Sequence, residues 1–252
     1  LGQIVEAGKI LENDVVLEIG PGKGALTEKL LEKSNFVIAV EKDRELVEFL
    51  KTKFEKEIRE KKLILVEEDI LKFDIKLYFE MSRFDLDIWD YKIIANIPYN
   101  ITGAILKKFL TEKNQPSRMV LMVQHEVARR IIAHDGKESL LSISVKAYGQ
   151  PKLITKVPAR YFSPQPKVDS AIITIKNISR RIFEENRIDE GKFWRIVKAG
   201  FAHKRKKLSG NLKELAQVAQ EPFLRKWGDK RAEDLPISDW LALSNMLQLK
   251  NN

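Results

Sequence analysis

The stretch VVLEIGPGKGALT, Val15–Thr27, decides how this chain is read. Its first half, Val15–Gly20, has the apolar run of a buried strand, and Ala25–Ser34 has the apolar spacing of a helix. Between them stand Gly20, Gly22 and Gly24. Glycines at such a junction allow a tight turn and let a ligand approach the backbone closely. A plain strand-to-helix turn would use glycine for the same reason, so the reading depends on the residues further along the chain.

The pattern repeats outward from that stretch. FVIAVE (Phe36–Glu41), LILVEED (Leu63–Asp69), KIIANI (Lys92–Ile97) and MVLMVQ (Met119–Gln124) read as strands. RELVEFLKTKFEKEIRE (Arg44–Glu60) reads as one long helix and ITGAILKKFL (Ile101–Leu110) as another. Strands apolar on both faces, separated by helices, predict a mostly parallel sheet covered on two sides, a doubly wound α/β domain. After about residue 140 the pattern changes. SISVKAYG, KLITKVP and SAIITIK read as strands joined by short loops, and beyond about residue 185 only helical patterns remain. Arg181–Asn186 looks like the junction, which predicts domains at 1–183 and 184–252. Lys76–Tyr91 is irregular and reads as a surface excursion.

Two acids follow the glycine turn at strand ends. Glu41 closes the second strand, where a carboxylate can accept from ribose hydroxyls. Asp69 closes the third, where it can accept from an adenine amino group with Ile70 against the ring. Each acid alone could cap a helix. With the glycine turn they describe a cofactor containing adenosine. NAD and S-adenosylmethionine both satisfy this much. The spacing here is G-x-G-x-G, one residue shorter than the dinucleotide fingerprint G-x-G-x-x-G, which tilts the reading towards the sulfonium cofactor.

Ile93–Asn100, IIANIPYN, ends a strand in an amide, a proline and an aromatic. Methylation of an exocyclic amine requires a nitrogen whose lone pair is drawn out of the purine ring and aimed at a methyl group. The Asn96 amide oxygen and the Ile97 carbonyl could both accept from that amine. Proline stiffens the next step, and Tyr99 offers a flat face for a flipped-out base. No strong base is needed, because the proton can leave once the nitrogen is cationic. In ARYFSPQPKVDS, Phe162 is a candidate for the other face of the base, with Tyr161 as the alternative.

Composition narrows the class. The chain has 252 residues, a formal charge of +9 and no cysteine. That composition excludes disulfides, zinc–thiolate sites and cysteine nucleophiles, and fits a reducing cytoplasm. Apolar runs such as Met119–Val123 are far too short to span a bilayer, and no secretory signal is expected. From Lys176 to Asn252 there are 17 Lys and Arg against 10 Asp and Glu, so the basic surplus lies near the C-terminus. Its sharpest cluster is HKRKK, including Lys204, Arg205, Lys206 and Lys207, which suits phosphate contacts or a solvated helix face. His125, His134 and His203 lack metal-ligand spacing, so no metal is expected.

Seven segments, LEIGPGKGALT, VEKDREL, EEDILKF, NIPYNI, MVQHEVARR, YFSPQPKVDSAI and FAHKRKKLSGNL, occur in this order. In that order they resemble the ribosomal RNA adenine N6,N6-dimethyltransferases through most of the chain. The resemblance implies a class I, Rossmann-like methyltransferase domain with a small all-helical C-terminal domain, and S-adenosylmethionine as donor. It implies dimethylation of two adjacent adenines near the 3′ end of small-subunit rRNA by a cytoplasmic protein, with a monomer the simplest expectation. It assigns Gln3, Gly20, Gly22, Glu41, Asp69, Ile70 and Asn96 to the cofactor, and Asn96 and Tyr99 to catalysis. Tyr99 and Phe162 would stack the target base, and Lys204–Lys207 would meet RNA. A large-subunit rRNA methyltransferase and a non-catalytic assembly factor are the alternatives, with an NAD-dependent oxidoreductase a distant third.

One feature departs from the family. Its members open with G-Q-[NH]-F-L and then a longer helix, whereas LGQ here runs straight into IVEAGKI. Either the protein lacks the segment that should close over the cofactor, or residues are missing between Gln3 and Ile4. The second is expected, because IVEAGKI looks like the tail of that helix. A break would separate the Gln3 carbonyl carbon and the Ile4 nitrogen by much more than the ~1.33 Å of a peptide bond.

Overall fold

The computed structural model of the chain describes residues 1–76, 90–213, 215 and 224–247. Apart from its ends, the expected excursion over Lys76–Tyr91 lies outside the described residues. The chain forms two compact units, one of residues 1–128 and 150–178, the other of residues 129–149 and 179–252. Residues 129–149 group here with the C-terminal helices.

The first unit is built on seven strands: β1 (Val15–Ile19), β2 (Phe36–Glu41), β3 (Leu63–Glu67), β4 (Tyr91–Asn96), β5 (Arg118–Gln124), β6 (Gln150–Val157) and β7 (Ser170–Lys176). Their order is β3-β2-β1-β4-β5-β7-β6. The first five pair in parallel, and β7 runs antiparallel between β5 and β6. Every residue of β1 is buried, as are Ile93–Ala95 of β4 and Met119–Val123 of β5. Burial on both faces explains why these strands are continuous apolar runs rather than alternating ones.

Helices α1 (Gly2–Gly8), α2 (Ala25–Leu31), α3 (Arg44–Lys53), α4 (Glu55–Arg59), α5 (Thr102–Thr111) and α6 (His125–Ile132) occupy the crossovers and flanks. Asp43 starts α3 by accepting from the Glu45 and Leu46 N–H groups at 2.9 and 3.2 Å. The single helix expected over Arg44–Glu60 is interrupted at Phe54, whose backbone leaves helical geometry as its ring packs into the core. Gln3 and Ile4 are neighbours within α1, where Ile4 and Val5 donate to the Leu1 carbonyl at 3.1 and 3.3 Å.

The second unit contains α7 (Leu140–Lys146), α8 (Arg181–Glu185), α9 (Glu190–Gly200), α10 (Leu208–Asn211) and α11 (Ile237–Met246). SISVKAYG, expected as a strand, lies mainly in α7. Its alternating Ile and Val mimic a strand, but Ser139 and Ser142 form a reciprocal cap, each hydroxyl accepting from the other's backbone N–H. Aromatic packing ties this segment to the later helices. Tyr148 meets Phe183 edge-on at 5.6 Å and stacks on Trp194 at 6.1 Å, and its hydroxyl donates to Glu190. Among the described residues after 185 there is no strand, and none of the described helices is long and apolar enough to cross a membrane.

In the first unit the glycine turn depends on packing against Leu50 and Phe54. At Gly24 φ is +76°, and a Cβ there would lie 2.5 Å from Phe54 Cε2 and 2.9 Å from Leu50 Cδ2. At Gly22 φ is +58°, but a Cβ would meet nothing within 4 Å. Gly22→Ala should therefore cost about 1 kcal/mol from the backbone alone. Gly24→Ala should cost roughly 1–3 kcal/mol more, because overpacking adds to strain. Thermal unfolding of the two variants checks the order, and similar losses would mean that the turn rather than the core limits residue 24.

Candidate functional site

Strand order reverses between β1 and β4, since β1 continues to β2 on one side and β4 to β5 on the other. Loops leaving the carboxyl ends of these two strands diverge and leave a crevice. The glycine turn leaves β1, and Asn96–Tyr99 leaves β4. A Cβ on Gly20 would sit 4.0 Å from Pro98 Cδ, so the two loops meet at this edge.

The glycine turn is fastened by Glu41. Its Oε2 accepts from the Gly22 N–H at 3.1 Å, and its Oε1 accepts from the Lys42 and Asp43 N–H groups at 2.8 and 3.0 Å. An ionised carboxylate has about four acceptor positions, so Glu41 keeps room for about one more donor rather than two ribose hydroxyls in this arrangement. Asp69 accepts from the Leu71 N–H at 3.0 Å and pairs with Lys42 at 3.0 Å. The Leu71 N–H, and after it Lys42, hold its carboxyl below the usual carboxylate range. Ile70 beside it is buried, 6% exposed, so little of its side chain is free to meet a ring in this arrangement.

A cavity of about 450 Å³ opens at the same edge, lined by Gln3, Ile4, Asn96, Met122, Tyr161 and Phe162 among others. It brings together Gln3 and Asn96, which the sequence assigned to the cofactor, and Phe162, assigned to the base. Phe162 is half-buried against the hydrophobic core. Tyr161 is 70% exposed, with the Arg160 guanidinium 5.4 Å from its ring centre. Tyr99 is held beside the cavity rather than in its lining, and its hydroxyl bonds the Ser170 hydroxyl at 2.6 Å.

Lys204–Lys207 lies in the other unit, in the turn between α9 and α10 rather than on a helix face. All four side chains are exposed. Lys207 pairs with Asp229 at 2.7 Å. Among the described residues Lys204, Arg205 and Lys206 have no acidic partner within 4.0 Å.

Sequence reasoning passed over Glu18 and Ser170. Glu18 stands inside β1, 1% exposed, and accepts from the Thr27 hydroxyl at 2.6 Å. Burial pushes its carboxyl up to about 8, against the Thr27 hydrogen bond, and Glu41 adds to the rise. An acid within an apolar strand was the available signal. Ser170 carried none, since a serine opening a strand is unremarkable in sequence.

The Glu18 shift has a defined sign. Its carboxyl is protonated in the folded chain up to about pH 8, but loses its proton near the usual carboxylate value when unfolded. The unfolded state then binds fewer protons across that window, so stability falls as pH rises through it. Glu18→Gln, which keeps an acceptor for Thr27, should flatten that slope, leaving the variant relatively more stable at pH 8 than at pH 5. Chemical denaturation at the two pH values checks this, and an unchanged slope would mean that Glu18 stays ionised.

The sequence matches the family model described as ribosomal RNA adenine dimethylase over residues 1–249. It is 38% identical over 249 residues to the ribosomal RNA small subunit methyltransferase A of Dehalococcoides mccartyi strain CBDB1, covering 96% of this chain and 82% of that protein. It is also 38% identical over 256 residues to the protein of the same name from Fusobacterium nucleatum, covering 98% and 92%. Among solved structures it resembles a dimethyladenosine transferase from Plasmodium falciparum, with a TM-score of 0.75 at 25% identity over 98% of this chain and 96% of that one. The 23S rRNA methyltransferase ErmE shares the fold, with a TM-score of 0.74 at 23% identity over 96% and 94%. With the doubly wound sheet, the pinned glycine turn and the Asn96–Tyr99 edge, these matches show that the chain belongs to the ribosomal RNA adenine dimethylase family.

Proposed function

We propose that this chain transfers methyl groups from S-adenosylmethionine to N6 of two adjacent adenines near the 3′ end of small-subunit rRNA, giving N6,N6-dimethyladenosine. The observation that carries the reading is the meeting of the glycine turn with Pro98 at the strand-order reversal, which sets a cofactor loop against an amine-binding edge. The names of the relatives, small subunit methyltransferases, support the choice of RNA.

The residues present fit the cofactor. Space over Gly22 is open, Glu41 has an acceptor position left, and Gln3 and Asn96 put polar groups on one cavity. Gln3, Gly20, Gly22, Glu41, Asp69, Ile70 and Asn96 would hold it. When bound, it supplies a methyl group on a positively charged sulfur.

The chain's own part is orientation. The Asn96 side-chain oxygen and the Ile97 carbonyl accept from the two N–H groups of the adenine amine, which turns its lone pair out of the ring plane. After the first transfer one N–H remains, and one acceptor is enough to orient the second. Tyr99 and Phe162 stack the flipped base. We assign this work to residues 1–183 and rRNA phosphate contacts to residues 184–252, where Lys204, Arg205 and Lys206 are exposed and Lys207 is shared with Asp229.

Labelled methyl groups should enter unmethylated small ribosomal subunits and appear as N6,N6-dimethyladenosine on nucleoside analysis. Label in large-subunit RNA instead, or in neither RNA, would overturn the reading. Asn96→Ala should slow transfer by about a hundredfold or more while cofactor affinity falls much less. Near-normal turnover would refute the role given to Asn96. Replacing Lys204, Arg205 and Lys206 with glutamine should weaken RNA binding and reduce the slope of log K against log salt by up to about 2–3, at roughly 0.7–0.9 per phosphate contact. An unchanged slope would remove this turn from the RNA interface.

A further inference from the structure

The two rings assigned to the target base sit on separate loops. Tyr99 follows β4, and Phe162 lies between β6 and β7. A stacking slot needs a fixed separation between its walls, so something must relate the two loops. The structure relates them through adjacent residues at the start of β7.

Ser170 is 0% exposed and pairs through its backbone with Gln124 and Val157 in the sheet. That pairing makes no demand for a hydroxyl, and a buried hydroxyl is costly unless bonded. The partner of this one is the Tyr99 hydroxyl at 2.6 Å. The near end of Tyr99 is fixed as well, by the short helical turn Tyr99–Ile101, in which Ile101 donates to Pro98 and the Thr102 hydroxyl donates to the Tyr99 carbonyl. The ring is thus held at both ends.

Asp169 holds the other loop. Its Oδ1 accepts from the Ala159 N–H at 2.9 Å, and its Oδ2 pairs with Lys156 at 2.8 Å. Ala159 in turn accepts from the Phe162 N–H at 3.1 Å. The Asp169 carbonyl accepts from His125 N–H at 2.9 Å, which ties the dipeptide to the end of β5. One peptide bond therefore separates the anchor of Tyr99 from the anchor of the Phe162 loop.

We propose that Asp169 and Ser170 are positioning residues that set the separation of the two base-stacking rings, Ser170 through Tyr99 and Asp169 through the loop carrying Phe162. The proposal rests on the reading of Tyr99 and Phe162 as the walls of the base site. It places neither Asp169 nor Ser170 in contact with the substrate. Holding the walls at their working spacing before the base arrives reduces the ordering cost of binding the flipped nucleotide.

The test compares Ser170→Ala, Tyr99→Phe and the double variant in single-turnover methylation of small subunits, with cofactor affinity measured separately. Ser170→Thr serves as the variant that keeps the hydroxyl. Each single change should slow transfer about 3- to 10-fold, the range expected for one hydrogen bond. The double variant should be no slower than the slower single one, because both remove the same bond. Ser170→Thr should recover most of the rate, and cofactor affinity should stay within about twofold throughout. With 2-aminopurine in place of the target adenine, fluorescence quenching on binding should weaken in Ser170→Ala and in Asp169→Ala. Additive losses in the double variant, unchanged rates or quenching, or a fall in cofactor affinity matching the fall in rate would each overturn the proposal. Wild-type protein that methylates no small-subunit RNA would overturn the underlying function first. Normal wild-type transfer with indifferent variants would overturn only the role of Asp169 and Ser170.

Discussion

The parallel pairing of β1 with β2 on one side and β4 on the other is the constraint on which the site depends. Parallel neighbours cannot be joined by tight turns, so each connection crosses a face of the sheet and buries it. Because the crossovers from β1 and β4 go opposite ways, their carboxyl ends are left uncovered. Both the glycine turn and the Asn96–Tyr99 segment emerge there.

Around that opening carboxylates hold the backbone alongside apolar packing. Glu41 accepts from Gly22 in the glycine turn and from Lys42 and Asp43 after its own strand, and Asp69 organises the end of β3 through Leu71 and Lys42. Glu18, one strand inward, is buried, accepts from the Thr27 hydroxyl and takes up a proton instead. Acids at one sheet edge thus behave differently according to their backbone donors. Donors keep Asp69 ionised, whereas burial without enough of them neutralises Glu18.

Much of the first unit was legible in the sequence. β1, β2, β4 and β5 fall within a residue or so of the expected strands because strands buried on both faces must be apolar throughout. The glycine turn and the strand-end acids were legible because positive φ and close approach restrict those positions to few residue types. SISVKAYG was misread because alternation alone does not distinguish a strand from a short helix, and its serine cap and the aromatic packing of Tyr148 outweighed the pattern. The grouping of 129–149 with the C-terminal helices was not legible for a related reason. The second unit draws on 129–149, and contacts between segments distant in sequence leave no local signal.

The sequence by itself determined the class of fold, the family and the residue types at the site, since each rests on local spacing and order. Only the tertiary structure decided which of those residues meet. It placed Gly20 against Pro98, gathered Gln3, Asn96 and Phe162 around one cavity, and tied Tyr99 to Ser170 across 71 positions of chain. It also spent most of the Glu41 carboxylate on backbone donors and set Lys207 against Asp229. Hydrogen bonds and close contacts depend on separations of a few ångströms in space, and strand order, which sets those separations, is not written in any one stretch of sequence.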